Sequence, residues 1–347
     1  MAERADISVM RRVAIILSML AYALIASPGA GAYFSGAPNP ANPLAGHPWF
    51  VDSERSSWWV AMRTNPSIAS SLALEANNPM GKTFASFVTE PRTAVRDYIL
   101  RAEQAQPGSI PFVNLARIEG PSCPYSTYHP GFSEKQIDSW VRGFAAGLGH
   151  YRVMVIVETD KLTGIRCLPR WAQARRYREL TYEVHRMHVD DPNSIVYIDA
   201  GAGDWGKPPS TIARWLRKAD VAEAQGFALN ASHHDWTAKE VRFGLGVSKR
   251  LHNKHFVVNT NSNGWGPVPR PNAPGIQLWH AGCTPSGEGL GIEPTVKTPD
   301  PRVDAFVWSG TPGFENGTDC LGLGPSAGYT FYPQEAAMLA QNANPRP

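Results

Sequence analysis

The stretch Val153–Gly164 reads VMVIVETDKLTG. Val153 to Val157 are apolar without interruption, and Glu158, Thr159 and Asp160 follow at once. An apolar run of this length bounded by polar residues reads as a buried strand. Its C-terminal end delivers two carboxylates. For one strand alone that is ordinary, because strands end in polar loops; it becomes informative if other strands end in the same way.

Six further stretches have the same character: 82–88 (KTFASFV), 111–116 (PFVNLA), 194–199 (SIVYID), 226–230 (GFALN), 255–259 (HFVVN) and 303–308 (VDAFVW). Helical patterns separate most of them. The clearest is SEKQIDSWVRGFAAGLG, residues 133–149. Ser133 and Gln136 form a capping box and Gly149 a C-cap. Ile137, Trp140, Val141, Phe144 and Leu148 share one face. A second helix starts at Thr237, with Glu240 three residues on, and a third holds Ile212, Trp215 and Leu216. Repeated strand–helix units imply a parallel sheet with helices outside it. Seven strands suggest a closed or nearly closed β/α barrel, and a doubly wound open sheet is the rival.

A net charge of +3 over 347 residues is too weak for a nucleic-acid partner or a polybasic membrane role. Arg11 and Arg12, the apolar stretch Val13–Ile25 and the small residues Ala30, Gly31 and Ala32 make a secretory signal peptide over 1–32, cleaved after Ala32. A Pro/Gly/Asn-rich arm follows at 33–46, and one domain fills 47–347. The mature chain is expected to be extracellular, monomeric and free of membrane insertion. Its four cysteines, Cys123, Cys167, Cys283 and Cys320, form an even set in an oxidising compartment, so two disulfides with three possible pairings are expected. No Cys/His spacing calls for a metal, and nothing calls for a cofactor.

Polar residues recur where the strands stop: Glu158 and Asp160, Asp199, Asn230, Asn259, then Trp308 with Glu315, Asn316 and Asp319 beyond it. In a β/α barrel those ends build the active face. Carboxylates there, together with eleven tryptophans whose planar faces suit sugar rings, point to glycoside hydrolysis. That reaction needs one protonated carboxyl to donate to the leaving oxygen and a second carboxylate on the other side. Burial at a strand end keeps a carboxyl protonated near neutral pH, so Asp160 or Glu158 suits the first role.

The segments VIVETD, YIDAGAGDW, NTNSNGWGP and CTPSG, in this order, resemble the family 6 glycoside hydrolases over about residues 42–340. The resemblance implies a single-domain, distorted seven-stranded parallel β/α barrel and an inverting β-1,4-glucanase or cellobiohydrolase. It implies Asp160 as general acid, Asp199 as the second catalytic carboxylate, and disulfides Cys123–Cys167 and Cys283–Cys320. Trp205, Trp236, Trp279 and Trp308 fall where members have ring-stacking or motif tryptophans. Asn230 and Asn263 match cleft amides, and His233 and Asn316 lie at cleft positions.

The departures cluster on the base side. The family's Arg-Asp-Cys is Pro121-Ser122-Cys123 here, and its Lys, Glu and Asp near the end become Gly310, Phe314 and Asn316. A further Asp is Asn259. The implied alternatives are cleavage of a different glycan with a base relocated to Asp204, Asp235, Glu315 or Asp319, slow residual cleavage of β-1,4-glucan, or a protein that binds glycan on this fold without cleaving it. His233 and His234 read equally as cleft ligands or solvated loop residues. The sequons at Asn230 and Asn316 are expected to be fortuitous, and Arg175, Arg176 and Arg178 to form the wet face of a helix.

Overall fold

The computed structural model describes residues 42–53, 56–118, 131–267, 284, 287–315 and 330–346. Seven parallel strands form one sheet in sequence order: β1 Lys82–Ala85, β2 Phe112–Ala116, β3 Met154–Val157, β4 Ile195–Asp199, β5 Gly226–Leu229, β6 His255–Asn259 and β7 Val303–Val307. Each lies within its expected stretch. The longest disagreement is at the first, where a turn with Val88 N–H on Ala85 O ends the strand early.

Period-two alternation sorts the strand residues onto two faces. Val113, Leu115, Val155, Val157, Ile198, Leu229 and Val258 pack outward against helices, while Phe112, Met154, Ile156, Tyr197, Ala228, Val257 and Val307 fill the curled interior. Leu44, from the end of the expected N-terminal arm, plugs that interior, and Asn42 Nδ2 donates to Asp304 O at 2.6 Å. Among the described residues no ladder joins β1 to β7. The seam is held instead by Gly81 N–H on Trp308 O at 2.9 Å and by Asn114 Nδ2 on Ser309 O at 2.7 Å. A Cβ at Gly81 would fall 2.5 Å from both Asn114 Nδ2 and Ser309 O, so only glycine lets the seam close this far.

The helices are α1 Ser56–Thr64, α2 Ala69–Ala76, α3 Pro91–Ala105, α4 Glu134–Leu148, α5 Arg170–Asp190, α6 Pro209–Lys218, α7 Thr237–Lys249 and α8 Pro333–Gln341. The capping box of α4 is present as expected, with both Ser133 and Gln136 engaged. At α7 the pattern differs. Thr237 is already helical, and Glu240 reaches out of its helix to accept the Gly203 N–H at 2.8 Å. A short hairpin, β8 Phe314–Glu315 with β9 Thr330–Phe331, leads into α8. No described helix is long and apolar enough to cross a membrane.

The arginine run on α5 is not a wet face. Arg176 is fully buried beside Glu179 and donates to Lys161 O, Arg175 bonds Glu179 at 2.6 Å, and only Arg178 is exposed. The reason is a cluster of carboxyls behind β3, where Glu158, Glu179 and Glu183 are all wholly buried and need a cation among them.

Candidate active site

Three residues at the strand ends, Glu158, Asp160 and Asn230, have positive φ of 57°, 66° and 65°. Such backbone is uncommon outside glycine and marks places where the surroundings overrule local preference. In a regular strand, residues two apart share a face. Here the left-handed turns separate Glu158 from Asp160.

Glu158 turns into the protein. Its Oε1 accepts the N–H groups of Arg117 at 2.5 Å and Ile118 at 2.8 Å, which fixes the chain leaving β2. Burial pushes its pKa up to about 7 against the pull of those amides, and burial followed by the charge of Glu158 pushes Glu183 well above the usual range. Glu158 is therefore a structural carboxyl and not the alternative proton donor that its place in the sequence suggests.

Asp160 is half-buried and turns the other way. Ser232 Oγ donates to Asp160 Oδ1 at 2.5 Å, and the Asp160 N–H sits on Asp199 Oδ1 at 2.9 Å. Asp199 is wholly buried and also accepts the Gly201 N–H at 3.2 Å, while its Oδ2 accepts from no group among the described residues. Burial, then the charge of Asp160, raises the Asp199 pKa well above the carboxylate range. Burial thus favours the protonated form of Asp199, beneath the Asp160 backbone N–H. Of the two, the half-buried Asp160 carboxyl is the one a substrate oxygen can reach, since Asp199 is wholly buried.

The neighbouring loop carries a second polar chain. Trp205 Nε1 donates to His233 Nε2, and His233 Nδ1 then donates to Asp204 Oδ1 at 2.8 Å. His233 is 1% exposed with both nitrogens engaged, so it joins the β4 and β5 loops and presents no edge to a sugar. His234 is also bound, to Ser262 Oγ at 2.9 Å and to Glu288 at 3.3 Å, rather than solvated.

The family model for glycosyl hydrolases family 6 matches residues 121–343. The chain belongs to this family. Endoglucanase A of Thermobispora bispora is 29% identical to it over 308 residues, covering 86% of this chain and 63% of that one. Endoglucanase 1 of Streptomyces halstedii is 29% identical over 291 residues, 82% of this chain and 85% of that one. The chain thus spans less than two thirds of the first relative and most of the second. Among solved structures, the endoglucanase Cel6 from Mycobacterium tuberculosis, in complex with methyl-cellobiosyl-4-deoxy-4-thio-β-D-cellobioside, is 32% identical with a TM-score of 0.76. The match covers 87% of this chain and 99% of that one.

In this family 6 chain the amides expected in the cleft are tied to backbone. Asn230 is wholly buried; its Nδ2 donates to Asp235 O and Asn259 O, and its Oδ1 accepts the Asp235 N–H. It is no glycosylation acceptor. Asn263 is buried, with Nδ2 on Asp235 O at 2.9 Å and Thr237 Oγ1 at 3.1 Å. Trp308 is fully buried with Nε1 on Ile292 O, so neither ring face is open, and Trp205 is buried with the Arg166 guanidinium 5.1 Å from its ring centroid. Trp236 is half-buried and lies over Gly266, where a Cβ would meet its indole at 2.3 Å. Of the relocated-base candidates, Asp235 is 3% exposed and engaged by Trp236 N–H and Lys239 Nζ. Cys167 is disulfide-bonded. Cys123, Cys283, Cys320, Trp279, Asn316 and Asp319, and the side chain of Glu315, lie outside the described residues.

Two residues that sequence reasoning did not single out stand at this face. Ser232 is the direct partner of Asp160. Trp265 is 48% exposed in the loop after β6, with Nε1 anchored on Asn342 O. A tryptophan two residues past Asn263, between Gly264 and Gly266, is the signal that was available for the second.

Proposed function

We propose that this chain is a secreted hydrolase of β-1,4-glucan or a related polysaccharide, acting with inversion and with Asp160 as general acid. The observation that carries the reading is the Asp160–Asp199 pair: one carboxyl half-open at a strand end, the other buried beneath its backbone N–H and raised in pKa. Glycosidic oxygen needs a proton as the bond breaks, and Asp160 is the carboxyl of the pair placed where such an oxygen can reach it. The exposed indole of Trp265 supports sugar stacking at the same face.

Inversion also needs a carboxylate to activate water opposite the acid. Asp235 is committed to the start of α7. Asp204 is half-buried on the β4 loop and is the base to test first. A second reading, glycan binding without cleavage, is favoured by one observation. At the ends of β6 and β7 the half-buried positions are Asn261 and Gly310, neither of them a carboxylate, with Asn259, Ser262 and Ser309 buried behind them.

The accompanying proposals are a signal peptide over 1–32, an arm over 33–46, disulfides Cys123–Cys167 and Cys283–Cys320, and a monomeric extracellular protein with no cofactor. The deciding experiment incubates the mature protein with cellotetraose and follows the anomeric protons by NMR. The expected product is the α-anomer first. Binding with no product, from cellotetraose or from a panel of cell-wall glycans, supports the second reading; the β-anomer first overturns inversion.

A further inference from the structure

The amide of Asn261 is oriented by a chain of hydrogen bonds that begins at a group able only to donate. The Ser309 backbone N–H donates to Asn259 Oδ1 at 2.8 Å. The other end of that amide is therefore Nδ2, and it donates to Asn230 O at 3.0 Å and to Asn261 at 2.6 Å. The Asn261 atom facing it must be Oδ1, which also accepts from Ser262 Oγ at 3.1 Å. Asn261 Oδ1 is thus held against the buried Asn259, and Nδ2 is turned away from it. Asn261 is half-buried, and its Nδ2 donates to no group among the described residues.

Gly310 makes room for this arrangement. A Cβ there would stand 2.6 Å from Asn261 Nδ2, closer than real Cβ contacts come. The family resemblance places a lysine at this position, and any such side chain would collide with the Asn261 amide. The glycine and the asparagine form one unit. That unit is stitched to the acid. Ser309, beside Gly310, donates its Oγ to Ala231 O at 3.4 Å, and the next residue, Ser232, holds Asp160.

We infer that Asn261 is a substrate-contacting, specificity-determining residue, whose Nδ2 donates to a hydroxyl oxygen of an uncharged sugar unit, with Gly310 as the gap that keeps the amide in place. The inference rests on the proposed glucan reading. The ligand class follows from the two half-buried positions, Asn261 and Gly310, which carry no charge, with the uncharged Asn259, Ser262 and Ser309 buried behind them.

The test is isothermal titration of cellotetraose into the Asp160→Asn protein, so that binding is read without turnover. Asn261→Ala, Gly310→Ala and the double substitution are made in that background, with melting temperature recorded for each. Loss of one neutral hydrogen bond weakens binding by about two- to tenfold. The expected result is that each single change weakens binding by that order, and that Gly310→Ala adds nothing once Asn261 is alanine. Gly310→Ala leaves the asparagine in place and decides the matter if Asn261→Ala does not fold. Unchanged affinity in both single variants, or fully additive losses, overturns the inference while leaving the glucan reading intact. Failure of the Asp160→Asn protein itself to bind cellotetraose overturns both.

Discussion

Replacing Glu183 by glutamine should make the protein more resistant to unfolding at neutral pH and leave it nearly unchanged in mild acid. Glu183 is wholly buried against Glu158, and the two carboxyls can hydrogen-bond to each other only when one of them holds a proton. Its pKa is raised well above 4.5 in the fold, by burial first and then by the charge of Glu158. The sign follows from proton counts. Between the unfolded pKa and the raised folded pKa, the folded protein binds more protons than the unfolded chain, so stability falls as pH rises. The slope is about 1.4 kcal/mol per pH unit for one group. From pH 5 to pH 7 the wild-type protein therefore loses about 2–3 kcal/mol through Glu183 that Glu183→Gln does not lose. At a urea slope of about 3 kcal/mol per molar, the difference between the two midpoints should widen by roughly 0.7–1 M across that interval. Tryptophan fluorescence during urea unfolding of the oxidised proteins at the two pH values reads it directly. Midpoints that shift in parallel would show that Glu183 is already ionised in the fold, and the account of the cluster behind β3 would be wrong.

Asp160→Asn should lower turnover of an unactivated glucan by about 10²–10⁴-fold with binding retained, and a substrate with an excellent leaving group should be partly spared; full activity would reassign the donor. Asp199→Asn keeps an acceptor for the N–H groups of Asp160 and Gly201, so it should unfold near the wild-type urea midpoint, whereas Asp199→Ala strands both amides and should cost about 1–3 kcal/mol. Non-reducing peptide mapping should find Cys123–Cys167 and Cys283–Cys320, each closing a loop of about 40 residues worth roughly 3–4 kcal/mol. Trp308→Ala should cost about 3–5 kcal/mol as a core truncation, while Trp265→Ala should leave the melting temperature in place and weaken glucan binding.

The strands were legible because buried parallel strands leave continuous apolar runs, and VMVIV at 153–157 is buried along its whole length. Helix α4 was legible because its cap and its apolar face are both local. The site was legible only in outline. Sequence spacing puts Glu158 and Asp160 on equal footing; it is the positive φ at both that sends one to the helices and the other to the opening. Polar residues at strand ends look alike whether they meet substrate or neighbouring backbone. Asn230 and Asn263 serve backbone, and nothing in their local sequence separates them from Asn261. The Asp204–His233 link joins residues 29 apart on different loops, and Arg176 looks solvated until the three buried glutamates around it are known.

The contact of Asn42 with Asp304 has a consequence for how the molecule is made. These residues are 262 positions apart, and Leu44 beside Asn42 fills the interior that β7 completes. Asn42 and Leu44 can seat only after β7, which carries Asp304, exists. At about 5–20 residues per second, that delay is on the order of 10–50 s. Through this interval the nascent chain lacks both its plug and its seam, and the interior face of the sheet stays unfilled.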